Sequence, residues 1–403
     1  MIFDNRAGMA CVLAALLFTA SASLPAAAQN GCKNQDFSGW LRSFKQQAAA
    51  EGISQRAIER ALSGVRFDPG IVKKDRAQAV FAQDFLTFAG RMVNKNRLQH
   101  GQQRMKKYSK VFGAIERQYG VPAAVITAFW GLETDFGANN GDGPTLISLA
   151  TLAYDCRRPE LFHDQLMAAL RIVDRGDLAP ENMRGPWAGE LGQVQFLPMH
   201  YDEYGVDFDG DGRRDLIGSS ADALASAAHY LQSLGWQAGQ PWLEEVTVPT
   251  ELPWDQADLA IKHPRTQWAK WGVRSANGGA LKADGLAATL LLPMGRNGPA
   301  FLAYPNFDIY LEWNESLVYS TTAAYFATRL AGAPPVSRGG QVNSLDLGQT
   351  KQLQKLLSSR GYDVGKIDGI IGANTRRAVK DVQIKLGLPA DSYPTTELLQ
   401  RLR

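Results

Sequence analysis

The stretch AFWGLETDFG, residues 128–137, places a single carboxylate, Glu133, among apolar side chains. Pro122 suits the first turn of a helix, because the N–H that it lacks would have no partner there. Along that helix Trp130 lies three residues before Glu133 and Phe129 four, so the three side chains share one face. Burial disfavours a charged carboxylate, so we expect the pKa of Glu133 to be raised. A glutamate that stays protonated near neutral pH suits general acid catalysis of glycosidic cleavage, whereas a solvated one at a helix end would do no chemistry.

Glycines in the following loop, GANNGDGP (137–144), leave room for a substrate beside Glu133. Other catalytic classes lack their motifs. The five histidines form no H-E-x-x-H pattern, and neither a G-x-S-x-G elbow nor a G-x-x-x-x-G-K-[ST] phosphate loop occurs. An acid–base carboxylate is therefore the chemistry that the motifs favour.

Helical periodicity dominates the chain from residue 37 to about residue 330. Apolar residues recur at helical spacing in ISQRAIERAL (53–62), KVFGAIERQY (110–119) and ADALASAAHYLQSLGW (221–236). The helix that carries Glu133 is expected to run until Gly137. Two runs further on, LEEVTVP and AATLLLP, predict short strands bounded by Pro or Gly. The pattern predicts a mainly α domain that carries a small β-containing insertion.

A separate module is predicted at the C-terminus. GAPPVSRGGQ is rich in Pro and Gly and begins a linker over residues 332–342. Residues 343–403 then contain two amphipathic helical segments around the turn GKIDGIIG, with ten basic and six acidic side chains. Their Gly, Asp and Thr spacings resemble the three-helix peptidoglycan-binding domain; the matching residues are Gly361, Tyr362, Asp368, Gly369, Gly372, Thr375, Ala378 and Val379. The alternative is a generic three-helix interaction domain.

The N-terminus has the pattern of a secretory signal peptide over residues 1–28. A short apolar core is followed by small residues, with an A-x-A site before Gln29. The alternative, an uncleaved anchor, is disfavoured because the apolar run is too short to span a bilayer. No later stretch approaches that length, so we expect an exported, periplasmic protein without a membrane span.

Two cysteines, Cys32 and Cys156, remain after Cys11 is removed with the signal peptide. An even number in an oxidising compartment predicts one disulfide between them. The alternative, lipid attachment at Cys32, requires a Leu and a small residue before the cysteine, where this chain has Gln29 and Asn30. We therefore expect a disulfide and no lipid anchor.

Three ordered motifs resemble the lytic murein transglycosylase B family. They are YGVPAAVITAFWGLETDFG, LATLAYDCRRPELF and WAGELGQVQFLPMHYDEYGVDFDGDGRRDL. The resemblance extends over about residues 37–330 and implies a lysozyme-like α domain, here bounded at 32–331, in which one glutamate performs all the proton transfer. It identifies Glu133 with the family's catalytic acid.

The same resemblance implies substrate-binding residues. Arg157 and Arg158 match arginines that hold the carboxylates of the substrate, and adjacent guanidinium groups suit such bidentate hydrogen bonds. Tyr230 matches a cleft tyrosine and Asn314 an asparagine near the acid, with Trp313 beside it where a tyrosine is usual. Trp313, Tyr230 and Tyr319 are also candidates for stacking on sugars. Gln193 and Gln195 either present amides to the cleft or satisfy a structural turn.

Two departures from the family pattern bear on the mechanism. Pro186 stands where well-studied members have a serine, and Glu190 adds a second carboxylate. With Glu133 alone, the family's reaction is cleavage between N-acetylmuramic acid and N-acetylglucosamine without water, which leaves a 1,6-anhydromuramic end. A hydrolytic muramidase would need a second carboxylate, for which Glu190 is the candidate. The third alternative is a wall-binding protein without catalysis.

DFDGDGRRDLIG, residues 207–218, resembles an EF-hand calcium loop. Candidate ligands occupy its odd positions, but the twelfth position, normally Glu, is Gly218. We expect a weak calcium site or an Asp/Gly-rich turn, and no required cofactor. The candidate ligands are Asp207, Asp209, Asp211, Arg213 through its carbonyl, and Asp215. The net charge of +3 gives no indication of nucleic acid binding, so the expected partners are peptidoglycan strands and muropeptides, bound by a monomer.

Overall fold

The computed structural model describes residues 36–77 and 83–403. The predicted signal peptide and Cys32 lie outside these residues, so the cleavage site and the disulfide with Cys156 stay predictions. In the described part of the chain, no helix combines the length and apolarity needed to cross a bilayer.

A helical body forms the larger part of the molecule, as the periodicity predicts. Its first helices are α1 (Phe37–Ala50), α2 (Gln55–Leu62), α3 (Pro69–Arg76), α4 (Phe85–Met92), α5 (Lys95–Lys107), α6 (Ser109–Tyr119), α7 (Ala123–Thr134), α8 (Thr145–Tyr154) and α9 (Pro159–Arg175). The remaining ones are α10 (Pro198–Tyr204), α11 (Ser220–Ser233), α12 (Arg265–Lys270), α13 (Pro305–Trp313) and α14 (Leu317–Leu330). Several begin at a side chain that accepts a backbone N–H of the first turn, as Ser54 and Asp84 do.

Helix α7 carries Glu133 and is buried on nearly every side, because it packs against α14, α5 and α11. It ends at Thr134, three residues before the predicted stop at Gly137. Asp135 and Phe136 follow with φ of 53° and 63°, a left-handed conformation that costs about 1 kcal/mol or more for each non-glycine residue. Burial of the Phe136 ring against Trp130 offsets that cost.

The β-containing insertion is confirmed as a five-stranded antiparallel sheet. The strands are β3 (Leu243–Thr247), β4 (His263–Pro264), β5 (Arg274–Ser275), β6 (Ala287–Leu291) and β7 (Ala300–Ala303), in the order β4-β6-β7-β3-β5. LEEVTVP and AATLLLP supply β3 and β6, as predicted. Leu290 pairs with Leu302, and this sheet builds a second core with the buried ring of Trp268. A separate short ladder joins β1 (Gly143–Pro144) to β2 (Arg184–Gly185).

The C-terminal module has the three predicted helices around a core of its own, which includes Leu353, Val379 and Leu398. They are α15 (Leu347–Ser358), α16 (Ala373–Lys385) and α17 (Thr396–Arg401). The preceding linker has no helix or strand, but the body holds it. The backbone N–H of Ser337 donates to Glu245, and that of Gly340 donates to the carbonyl of Asn297 at 2.7 Å.

Helix α16 fastens the module to the sheet region. Arg376 Nη2 donates to the carbonyl oxygen of Leu292 at 2.8 Å, and Lys380 Nζ lies 2.7 Å from Asp258 Oδ2. Both cations are partly buried there, so each interaction is screened less than an exposed ion pair would be. Asp391 of the module also accepts the backbone N–H of Arg296 at 3.0 Å, so the module is docked against the body by several contacts.

We expect Arg376→Ala combined with Lys380→Ala to weaken the docking of the module, because Asp258 and the Leu292 carbonyl would lose their partners while the contact of Arg296 with Asp391 remains. Differential scanning calorimetry should then show a separate transition at lower temperature, and proteolysis should cut within 332–342. Arg377→Ala is the control, since Arg377 lies on the same helix and is exposed. A double variant that melts and resists protease like the unmodified protein would contradict the docking.

Candidate active site

Two hydrogen-bond donors converge on one oxygen of Glu133. Trp313 Nε1 donates to Oε1 at 3.0 Å, and the Tyr319 hydroxyl donates to the same atom. Oε2 has no hydrogen-bond partner among residues 36–77 and 83–403. Burial raises the pKa of Glu133, as predicted; the two donors oppose this effect and the nearby Glu190 adds to it. The group therefore remains a neutral acid at a pH where an ordinary glutamate is ionised.

Both donors flank the loop between α13 and α14. Trp313 is the last residue of α13, and Tyr319 lies in the first turn of α14, whose N-cap is Ser316. Between them Asn314 accepts the Ser316 backbone N–H on its side-chain oxygen at 2.9 Å, and its carbonyl accepts the Ser320 hydroxyl. Asn314 thus shapes the loop, and its contact with substrate stays a prediction.

Aromatic rings enclose Trp313. Its indole stacks on Phe129, with ring centroids 4.2 Å apart and planes inclined by 25°. Phe196 and Tyr230 lie 5.7 and 5.6 Å from it, both tilted. Tyr230 is 8% exposed and stacks on His200 at 4.7 Å. Protein rings therefore occupy much of the surface that the sequence assigned to sugar stacking.

The turn after Glu133 is tied to a second loop. Thr134 Oγ1 donates to the Gln193 carbonyl at 2.6 Å and accepts the backbone N–H of Gly137. The amide of Gln193 is used inside the protein: Nε2 donates to the Ile217 carbonyl, and Oε1 accepts from Ser220. These contacts favour the structural alternative for Gln193.

Gln195 also contributes to the turn. Its backbone is left-handed, with φ of 53°, and its Nε2 donates to the carbonyl oxygens of Gly192 at 2.8 Å and Asn140 at 3.3 Å. Its amide nitrogen therefore joins the loop around residue 140 to the loop around residue 192. The structural reading is favoured for this glutamine as well.

The predicted arginine pair meets a protein carboxylate. Arg157 Nη1 lies 2.7 Å from one oxygen of Asp75, and Arg158 Nη2 pairs with the other. Asp75 is 1% exposed, so the two guanidinium groups compensate a buried charge that would be costly alone. Sequence reasoning missed Asp75, which lies more than eighty positions away. Both arginines keep about two fifths of their side-chain surface exposed, which leaves donors for a ligand.

Glu190 is a partly buried second carboxyl group. Its Oε2 is shielded from solvent and has no hydrogen-bond partner in the part of the chain that the structure describes, and burial raises the pKa of Glu190 against the effects of nearby backbone N–H groups and of Arg158. The loop leaves little freedom here, since a Cβ at Gly185 would lie 1.8 Å from the Glu190 carbonyl. Pro186 follows in that tightly closed segment and, unlike a serine, brings no side-chain hydroxyl of its own.

The Asp-rich loop brings three predicted ligands together. Carboxylate oxygens of Asp207, Asp209 and Asp211 lie within 4.8 Å of one another. Oxygen donors of this kind suit a hard cation such as calcium. Asp215, however, accepts the backbone N–H groups of Ile217 and Gly218, and the Arg213 N–H donates to Asp211.

The carboxylate of Asp222 stabilises this loop by accepting its backbone N–H groups, a role that sequence reasoning missed. Fully buried at the start of α11, it accepts the backbone N–H groups of Phe208 at 2.8 Å, Asp209 at 3.3 Å and Asp215 at 2.9 Å. Its oxygens are therefore occupied by the backbone. It does not replace the missing twelfth ligand at Gly218.

The family described as transglycosylase SLT domain matches residues 36–328, and a peptidoglycan binding domain family matches residues 347–402. The crystal structure of SltB3 from Pseudomonas aeruginosa in complex with NAG-anhNAM-pentapeptide is 42% identical. The match covers 92% of this chain and 100% of that chain, with a TM-score of 0.85.

Two Escherichia coli proteins are also similar. Membrane-bound lytic murein transglycosylase B is 29% identical over 239 residues, which is 59% of this chain and 64% of that protein. A lytic transglycosylase crystallised with calcium is 25% identical, with a TM-score of 0.62 over 72% of this chain and 92% of that one.

Proposed function

The chain belongs to the SLT transglycosylase family, and from this membership we propose that it cleaves peptidoglycan without water, using Glu133 as its acid and base. The bond is the β-1,4 link between N-acetylmuramic acid and N-acetylglucosamine. The observation that carries the proposal is the geometry of Glu133, whose Oε1 accepts two hydrogen bonds from the protein and whose Oε2 has no protein partner among the described residues; burial also raises the pKa of this carboxyl group. The anhydromuramic peptide in the relative from Pseudomonas aeruginosa supports it.

One glutamate suffices for both halves of the reaction. Glu133 gives its proton to the bridging oxygen, and the C1–O bond breaks as positive charge develops at C1. The N-acetyl oxygen of the substrate can meet that charge. Glu133, now a carboxylate, takes the proton of the C6 hydroxyl, whose oxygen bonds to C1. Glu133 thus regains the proton that it donated, and no water molecule takes part in the reaction.

The products distinguish this route from hydrolysis. Mass spectrometry of sacculi digested by the protein should detect muropeptides lighter by one water, with anhydromuramic ends. Products of full mass would instead support a muramidase in which Glu190 activates water. An absence of soluble products, with sacculi still bound, would support a wall-binding protein without catalysis.

The remaining assignments extend the proposal. We infer that Arg157, Arg158, Tyr230 and Asn314 contribute to the substrate cleft, on the family resemblance and the exposed arginine surface. The C-terminal module would hold the enzyme to peptidoglycan, helped by its basic balance against an acidic polymer. We expect a monomer that acts in the periplasm after export.

Calcium is proposed only as a weak structural ligand. Asp207, Asp209 and Asp211 would hold it, with the Arg213 carbonyl as a further donor. The similar protein crystallised with calcium supports such a site, while Gly218 removes the bidentate ligand that raises affinity in an EF-hand loop. No step of the reaction requires the ion.

A further inference from the structure

The hydrogen bonds to Glu133 are unequal at its two oxygens. Trp313 ends the helix before one loop and Tyr319 lies in the first turn of the helix after it, and both donate to Oε1. An oxygen that accepts two donors is a poor position for a proton, because the proton would oppose the incoming N–H and O–H groups. The proton of the neutral acid must therefore lie on Oε2.

We propose that Trp313 is a positioning residue for this reaction, which with Tyr319 fixes Glu133 so that Oε2 alone carries the transferred proton. The proposal rests on the proposed function of Glu133. It replaces the sequence-based assignment of Trp313 as a sugar-stacking residue.

Aromatic packing fixes the indole of Trp313 in the orientation that lets it donate to Glu133. Phe129 stacks on Trp313 at 4.2 Å, and Tyr310 stacks on Phe129 at 4.9 Å, so the indole is the end of a three-ring column. Phe129 also belongs to α7, four residues before Glu133. The helix that carries the acid thus supports, through Phe129, the ring that orients the acid.

Neither donor can compete for the proton. An indole N–H has no acceptor lone pair, and its donor role does not change with pH. Burial and the adjacent Glu133 raise the pKa of Tyr319 well above its ordinary value, so its hydroxyl also remains a donor. After proton transfer the same two bonds stabilise the Glu133 carboxylate until it recovers a proton.

Removal of one donor should shift the pKa of Glu133 in a predictable direction. Hydrogen bonds to Oε1 favour the charged form, so the loss of one raises the pKa of Glu133 further. Glu190 is the other carboxyl group that acts on Glu133, and it is unchanged in such a variant. A shift in the pH dependence of kcat would therefore be caused by the loss of the hydrogen-bond donor.

The test uses Trp313→Phe and Tyr319→Phe in the full chain, with soluble muropeptide oligomers as substrate. Each variant keeps an aromatic ring and loses one donor. We expect kcat to fall about 10- to 100-fold with KM changed less than about threefold, and the alkaline limb of the profile to move to higher pH. Trp242→Phe is the control, because it also removes an indole hydrogen bond, to the Ala324 carbonyl at 3.1 Å; we expect it to leave kcat and the pH profile unchanged.

Two results would overturn the proposal. An increase in KM for Trp313→Phe, with kcat and the alkaline limb unchanged, would show that Trp313 binds sugar. If kcat, KM and the alkaline limb of Trp313→Phe all equalled those of the unmodified protein, Trp313 would neither position Glu133 nor bind sugar. If Glu133→Gln were fully active, the proposed function itself would fail, which is a different outcome.

Discussion

Glu133→Gln is expected to reduce glycan cleavage by about 10³- to 10⁴-fold while the protein still binds sacculi. Glutamine keeps the shape of the side chain, so Trp313 and Tyr319 can still donate to its oxygen, but it has no acidic proton to transfer. The measurement is the rate at which soluble muropeptides are released. Glu116→Gln is the matched control, because Glu116 is an exposed helical glutamate.

The pH dependence of the unmodified enzyme should follow from the same residue. Activity needs the protonated acid, so it should persist above the ordinary pKa of glutamate and fall as the pH rises through the raised pKa of Glu133. The folded state binds this proton more tightly than the unfolded state does. Stability therefore declines with rising pH in the window between the ordinary and the raised pKa.

This linkage provides a check on folding. Because glutamine does not ionise, Glu133→Gln should be at least as stable as the unmodified protein at neutral pH. Loss of activity together with an unchanged or higher melting temperature assigns the defect to chemistry. Full activity in this variant would contradict the acid–base role of Glu133.

Asp222→Ala should have the largest effect on stability, lowering the free energy of unfolding by at least about 3 kcal/mol. The carboxylate is completely buried and accepts the backbone N–H groups of Phe208, Asp209 and Asp215, which would be left without partners. Asp222→Asn should be less severe, since an amide retains one acceptor oxygen. Denaturant unfolding with a chelator present measures the effect without any contribution from a bound cation.

The control for this loss is Asp211→Ala. Asp211 belongs to the same loop, but it is exposed; among the described residues its carboxylate accepts one hydrogen bond, from the Arg213 backbone N–H, and forms a 4.0 Å ion pair with the guanidinium group of Arg213. We expect its replacement to cost less than about 1 kcal/mol. If Asp222→Ala unfolded at the same denaturant concentration as the unmodified protein, the loop would not depend on this carboxylate.

Local patterns predicted much of the architecture. Two of the five strands in the insertion, the helices of the tail and the apolar helix around Glu133 all depend on neighbouring residues, whose spacing the sequence displays directly. The end of α7 was mispredicted by three residues. The Phe136 ring packs against Trp130 of the same segment and lies beside Gly101 of α5, and its burial between the two helices allows two left-handed residues where glycine was expected to terminate the helix.

The site itself depended on contacts between distant residues. Trp313 and Tyr319 lie 180 and 186 positions from Glu133, and no local spacing relates them. The sequence left Gln193 open as a substrate ligand, but its side-chain amide donates to the Ile217 carbonyl and accepts from the Ser220 hydroxyl.

By itself, the sequence predicted the acid and its apolar surroundings, because these follow from side-chain type and helical period, whereas the class of reaction came from the resemblance of three ordered motifs to a known family. Only the tertiary structure decided which oxygen of Glu133 keeps the proton and which side chains orient it. Those features arise where α7, α13 and α14 pack together, and packing between helices far apart in sequence leaves no periodic signal along the chain.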